Sequence, residues 1–153
     1  SHEIDCSVWL FGFPKSVYAI GNHYTDLEID VEDSADIMLK VPSPIGDVSI
    51  RCHVDFIQSP PERFCHIIFE YGTVKWDYFE NIVHVFNSKN KIKESFKFSE
   101  FKRNDMFNDE LKHFISCLEV GGKPMVSILN GVDLLKVCVA AKDSIKTGKV
   151  VVI

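Results

Sequence analysis

The sequence predicts an α+β fold: an open, mostly antiparallel β-sheet of six or more strands with helices packed on one face. Three observations predict it. Both ends of the chain carry helical periodicity, the middle carries a run of period-two segments, and no helix-like segment separates those strands. Consecutive strands without crossovers pair antiparallel, and helices grouped at the ends cover one face.

His2 to Phe11 reads as a short helix with Ser1 as N-cap, Ile4, Val8, Trp9 and Phe11 on its apolar side, and Gly12 and Pro14 as the stop. Period two then takes over in 15–25 and 33–41, where Ala35, Ile37, Leu39 and Val41 alternate with Asp36, Met38 and Lys40. After a Pro-rich turn at 42–47, Val48, Ile50, Cys52, Val54 and Phe56 face one way and Ser49, Arg51, His53 and Asp55 the other. Pro60-Pro61 interrupts; strands are expected over 63–70, 73–78, 82–86 and 95–98, with a turn at Tyr71-Gly72. The last third is helical. Phe107, Leu111, Phe114, Ile115 and Leu118 recur at helical spacing up to Gly121-Gly122. A further helix is expected from an Asn130 N-cap to Lys146, burying Leu134, Leu135, Val137, Cys138, Ala141 and Ile145, with Gly148 closing it. Residues 150–153 complete the pattern as an edge strand.

The chain has 153 residues, the size of one ordinary domain, with 46% hydrophobic and 25% charged residues, so it buries a core. No repeat or domain boundary is visible. The net charge of −5, without a Lys/Arg cluster, excludes a nucleic-acid partner. The longest apolar runs fall far short of the ~20 residues of a membrane span, and no signal peptide is seen. Five Cys, an odd number without a CxxC, read as reduced, buried thiols of a cytoplasmic protein; no Cys/His group has zinc-ligand spacing. The chain opens inside a helix and without Met, and is read as a fragment.

Three stretches carry a family resemblance. The tail, NDMFNDELKHFISCLEVGGKPMVSILNGVDLLKVCVAAKDSIKTGKVV over 104–151, is similar to the closing segment of the glucose–fructose oxidoreductase / inositol dehydrogenase (Gfo/Idh/MocA) family. The middle resembles it through Glu32-Asp33-Ser34-Ala35, Val54-Asp55-Phe56, Gln58-Ser59-Pro60-Pro61-Glu62-Arg63 and Tyr71-Gly72-Thr73-Val74-Lys75-Trp76-Asp77. The start, from Ser1-His2-Glu3-Ile4-Asp5 to Trp9-Leu10-Phe11-Gly12, resembles the helix after that family's Gly-Gly-rich strand. The resemblance implies a C-terminal substrate and oligomerisation domain over 1–153, whose other sheet face makes the subunit contact. It further implies an N-terminal Rossmann domain that binds NAD or NADP and supplies a Glu-Lys-Pro lysine. Neither that motif nor a G-x-G-x-x-G after a strand stands in this sequence.

The resemblance gives His2 the role of general acid/base, moving a hydroxyl proton while hydride goes to the nicotinamide; an imidazole titrates near working pH. Its carboxylate partner is expected upstream of Ser1. The plain alternative is a solvated terminal His. Asp5, one turn on, is a candidate to orient His2, or simply an acid favoured by the helix dipole. Arg63, after the Pro-Pro turn, is a candidate to hold a hydroxyl-rich or anionic substrate. Arg51, His53 and Asp55 share one strand face, either pocket or interface. His23, His66, His84 and His113 stand isolated, without metal-ligand spacing.

The expected function is therefore the substrate-binding and oligomerisation domain of an NAD(P)-dependent oxidoreductase acting on a sugar or sugar derivative. It is expected to be inactive alone, to bind no cofactor or metal, and to form a homo-oligomer through the open sheet face, without nucleic-acid or membrane partners. The alternative is a non-catalytic binding or dimerisation module on the same sheet.

Overall fold

The computed structural model describes residues Ser1–Ile153. In chain order they form α1 (His2–Phe11), β1 (Ser16–Asn22), β2 (Ser34–Val41), β3 (Val48–Asp55), β4 (Phe64–Phe69), β5 (Gly72–Asp77), β6 (Ile82–Asn87), β7 (Ile92–Lys97), α2 (Arg103–Val120), α3 (Ile128–Thr147) and β8 (Val151–Val152). The α+β class and the antiparallel pairing are those the sequence predicts. The strands divide between two four-stranded sheets, in the orders β3-β2-β1-β8 and β4-β5-β6-β7. The chain forms two compact units, one of residues 1–57 with 125–153 and one of residues 58–124.

In the first unit, alternation decides which face is buried. Val17 and Ala19 of β1, Ile37, Leu39 and Val41 of β2, and Cys52 of β3 point to one side and pack with Ile4 of α1 and Val137, Ala140 and Ala141 of α3. α1 buries Ile4 and Ser7, while Trp9 is 80% exposed. The expected inward Trp9 is thus a correction: at 3.6 residues per turn it lies about 140° round the helix from Ile4. Ser7 takes the inner position because its hydroxyl is satisfied locally, donating to the Glu3 carbonyl at 2.8 Å.

The second correction concerns the start of α3. Ser127, not Asn130, is the N-cap. The two form a reciprocal capping box, with Asn130 N–H donating to Ser127 Oγ at 3.3 Å and Ser127 N–H to Asn130 Oδ1 at 2.9 Å. Leu135, expected inside, is 61% exposed, and Ala140 and Ser144 occupy the inner stripe instead. Gly148 ends the helix in the left-handed conformation (φ 66°), as expected. Gly21 of β1 has no room for a side chain: a Cβ there would lie 2.9 Å from Ala35 Cβ and 3.1 Å from Ile145 Cδ1.

Two buried polar side chains complete this unit. β8 pairs with β1 only at Ser16 and Val17. Beyond that point the Ala19 N–H donates to Ser144 Oγ at 2.9 Å, and the Ser144 hydroxyl donates to the Lys149 carbonyl at 2.6 Å. One serine thus satisfies both a strand donor that β8 does not reach and a carbonyl past the helix end. Asp33, fully buried, accepts from the Tyr24 N–H (2.9 and 3.0 Å), the Thr25 N–H (2.8 Å) and the Thr25 hydroxyl (2.7 Å), closing the loop between β1 and β2.

The second unit is a meander, β4 to β7, in which each strand pairs with the next, together with α2. The turn expected at Tyr71-Gly72 links β4 to β5. Ile67, Val74, Trp76, Val83 and Val85 share one sheet face and are half-buried. The predicted apolar stripe of α2 is present, and all of it is exposed, from Ile115 at 45% to Leu118 at 68%. None of the five cysteines forms a disulfide; Cys52 alone is buried and the others are half-buried, so the expectation of buried thiols holds fully for one.

Candidate functional site

α1 presents His2 and Asp5 in its first turns, and both side chains are exposed. Their spacing puts them on one helix face at the N-terminal end of α1, where Ser1 provides no side-chain cap. The inner side of the same helix is anchored: Ile4 sits in the core, and Ser7 Oγ lies 3.4 Å from Cys52 Sγ on β3. Burial pushes the Cys52 thiol up, so it stays protonated and acts as packing.

On the opposite face of the first sheet, β2 and β3 build a polar network. Asp36 and His53 are register partners. Asp36 Oδ1 accepts from Arg51 Nε at 3.1 Å and Nη2 at 3.0 Å, and lies 3.2 Å from His53 Nδ1. His53 Nε2 lies 3.2 Å from Asp55 Oδ2. Burial weighs against the Asp36 charge, but the Arg51 and His53 hydrogen bonds and charges outweigh it and hold the carboxyl below the usual range. The alternation of Arg51, His53 and Asp55 is legible in sequence; Asp36, their hub, is brought in only by the β2–β3 register. At the other end of this face Lys15 and Lys40 both reach Asp47, at 2.7 and 3.1 Å. At this Lys40–Asp47 end lies an open depression of about 480 Å³ lined by Tyr18, Met38, Lys40, Asp47, Ser49 and Val150.

Arg63 belongs to the second unit. Its guanidinium lies 4.8 Å from the centre of the Tyr78 ring, a cation–π contact that fixes the plane of the fork. His84 Nδ1 meets Ser95 Oγ across β6 and β7 at 2.7 Å. No group of three or more His, Cys, Asp or Glu side chains is placed to hold a metal ion. No helix is long and apolar enough to cross a membrane.

A dinucleotide needs a glycine turn at a helix N-terminus, where N–H groups face the pyrophosphate. The Gly121-Gly122 pair closes the C-terminal end of α2, the carbonyl pole, and the α3 N-terminus is occupied by its own capping box. These residues do not fit the pyrophosphate of NAD(P), and no step is assigned through it.

The fold, α1 and α3 packed on an antiparallel sheet, is shared with solved oxidoreductases. An oxidoreductase from Agrobacterium radiobacter, in complex with NAD+, L-tartaric acid and magnesium, matches 99% of this chain with a TM-score of 0.80 at 18% identity. The aldose-aldose oxidoreductase of Caulobacter crescentus, complexed with glycerol, matches 99% at 0.78 and 20% identity. The WlbA dehydrogenase of Bordetella pertussis, in complex with NADH and UDP-GlcNAcA, matches 99% at 0.74 and 22% identity. This chain spans less than half of each, 46%, 45% and 44% respectively. No curated protein matches it. Residues 1–75, from α1 into β5, match the model of the GFO/IDH/MocA C-terminal domain family, the family that the sequence resembles.

Proposed function

We propose that this chain is the substrate-side and oligomerisation domain of an NAD(P)-dependent oxidoreductase acting on a sugar or sugar derivative. In this reading the nucleotide is held by a Rossmann domain outside these residues, and the isolated chain is inactive. The observation that carries it is the family match over residues 1–75, which includes the exposed His2 and Asp5 at the start of α1. The chemistry of the relatives' ligands supports it: tartaric acid, glycerol and UDP-GlcNAcA all present hydroxyl groups, and two of the three proteins hold NAD+ or NADH.

His2 is assigned the hydroxyl proton, which an imidazole accepts as the carbon is oxidised and returns in the reverse direction. Asp5 orients the imidazole from the next turn. Arg63, its plane set by Tyr78, binds substrate oxygens. The assembly part of the proposal rests on the open face of the first sheet. There Ile20 (56%), Met38 (40%) and Val152 (81%) are exposed on the same face, and a second copy would remove them from water. The test is a titration of NADH against this chain. Nicotinamide fluorescence should stay unchanged, and tight binding would overturn the assignment of the cofactor to another domain.

A further inference from the structure

We infer that the C-terminal end of α2 is a binding site for a thiophilic divalent metal ion of the zinc class, held by Cys117 Sγ, His113 Nε2 and the Lys123 carbonyl. None of these residues takes part in the proposed function, so the two stand or fall separately.

In sequence, His113 stands isolated and Gly121-Gly122 only ends a helix. The fold joins them. His113 and Cys117 are four residues apart on α2, a spacing that places both side chains on one face. Gly121 then turns left-handed (φ 65°), and the Gly122 N–H donates to the Cys117 carbonyl at 2.9 Å. That turn folds the chain back over the helix end and brings the Lys123 carbonyl to Cys117. Cys117 Sγ lies 3.7 Å from His113 Nε2 and 3.6 Å from the Lys123 oxygen.

These separations are the edges of a tetrahedral metal site. With metal–sulfur, metal–nitrogen and metal–oxygen bonds of about 2.3, 2.0–2.1 and 2.0–2.2 Å, two ligand atoms at the tetrahedral angle stand about 3.6 Å apart. The sulfur therefore already stands at ligand separation from both partners. The donors also select the ion: thiolate and imidazole suit zinc and its relatives, whereas magnesium and calcium take oxygen. No third His, Cys, Asp or Glu side chain completes the pair, so the carbonyl is the third protein donor and water takes the fourth position.

The surroundings favour a cation. The last turn of α3 holds Lys146, but that of α2 holds no basic residue, so the negative pole of α2 is not offset by its own last turn. His113 is exposed and Cys117 half-buried, which gives an ion access from water. On binding, the sulfur–hydrogen bond is exchanged for a sulfur–metal bond; the proton leaves to solvent and no electron is transferred.

The experiment titrates Cd2+, which shares zinc's taste for sulfur and nitrogen, into the reduced chain and reads the ultraviolet charge-transfer band of a cadmium thiolate. The parent should show a step at one equivalent, reversed by Zn2+ and untouched by excess Mg2+. Cys117→Ser should remove that step. His113→Asn keeps the thiol and should weaken binding about tenfold or more, since loss of even an outer-shell partner costs about 10–100-fold in metal affinity. Circular dichroism checks the helix in each variant, and Cys117→Ala and His113→Gln should repeat the two losses. A parent without the step, a step that survives Cys117→Ser, or an affinity unchanged by His113→Asn would overturn the site.

Discussion

The two units are built from similar strands and carry opposite burial. In the first, Val17, Leu39, Val41 and Val137 are at most 2% exposed, and even the polar Asp33 and Ser144 are sealed. In the second, which holds four strands and an eighteen-residue helix, no residue reaches that class. Its α2 carries Phe107, Leu111, Phe114 and Leu118 on its surface, each more than half exposed. The difference is one of layers: in the first unit α1 and α3 lie on the sheet, whereas in the second no helix packs on the sheet to make a second layer. A hydrophobic pattern therefore reports what an element is able to bury. Whether it does so is decided by another layer.

The sharpest way to break the comparison is a matched pair of truncations. Leu39→Ala in the first sheet should cost about 2–5 kcal/mol in denaturant unfolding, the usual range for an enclosed leucine. Leu118→Ala on α2, with a side chain already in water, should change stability by less than about 0.5 kcal/mol. Comparable losses at both sites would show α2 to be as well packed as the first core. Next comes Ser144→Ala, which strands the Ala19 N–H and the Lys149 carbonyl in a sealed site and should cost about 1–3 kcal/mol.

Asp33 gives a pH signature. Burial pushes its carboxyl up, but hydrogen bonds from the Thr25 hydroxyl and the Tyr24 and Thr25 N–H groups, with the charge of His23, hold it below the ordinary value. A depressed folded value means the stabilisation is complete above the unfolded value of about 4 and fades as pH falls through the lower folded one. Asp33→Asn should therefore lower the melting temperature at neutral pH, and the gap to the parent should narrow on acidification below about pH 4. A gap independent of pH would remove the carboxylate charge from the account. Smallest of all, Lys136→Ala breaks an exposed pair with Asp133 (2.7 Å) and should stay within about 0.5 kcal/mol.

Much of the fold is legible in the sequence because its signals are local. Period two marks β1 to β3 closely, and the Gly148 stop of α3 stands at its true position. The corrections share a cause. Ser127 and Asn130 are both good caps, and only the reciprocal bond decides which one begins the helix. Hydrophobicity alone places Trp9 and Leu135 inside, while small residues, Ser7 and Ala140, fit closer to the sheet. The division into two sheets leaves no local trace, since pairing joins residues far apart in sequence. The same holds for the polar network: Arg51, His53 and Asp55 declare a shared face, but Asp36 joins them through register alone. Asp33 has no signal at all beyond standing at the edge of a strand.

The role proposed for His2 is tested most directly by the turnover, with NAD(P) and a sugar substrate, of a full-length protein carrying this domain with His2→Asn. If His2 moves the hydroxyl proton, kcat falls by about 10²–10⁴ and NADH affinity is unchanged. A variant that turns over like the parent would contradict the account and leave His2 a solvated residue at the start of a helix.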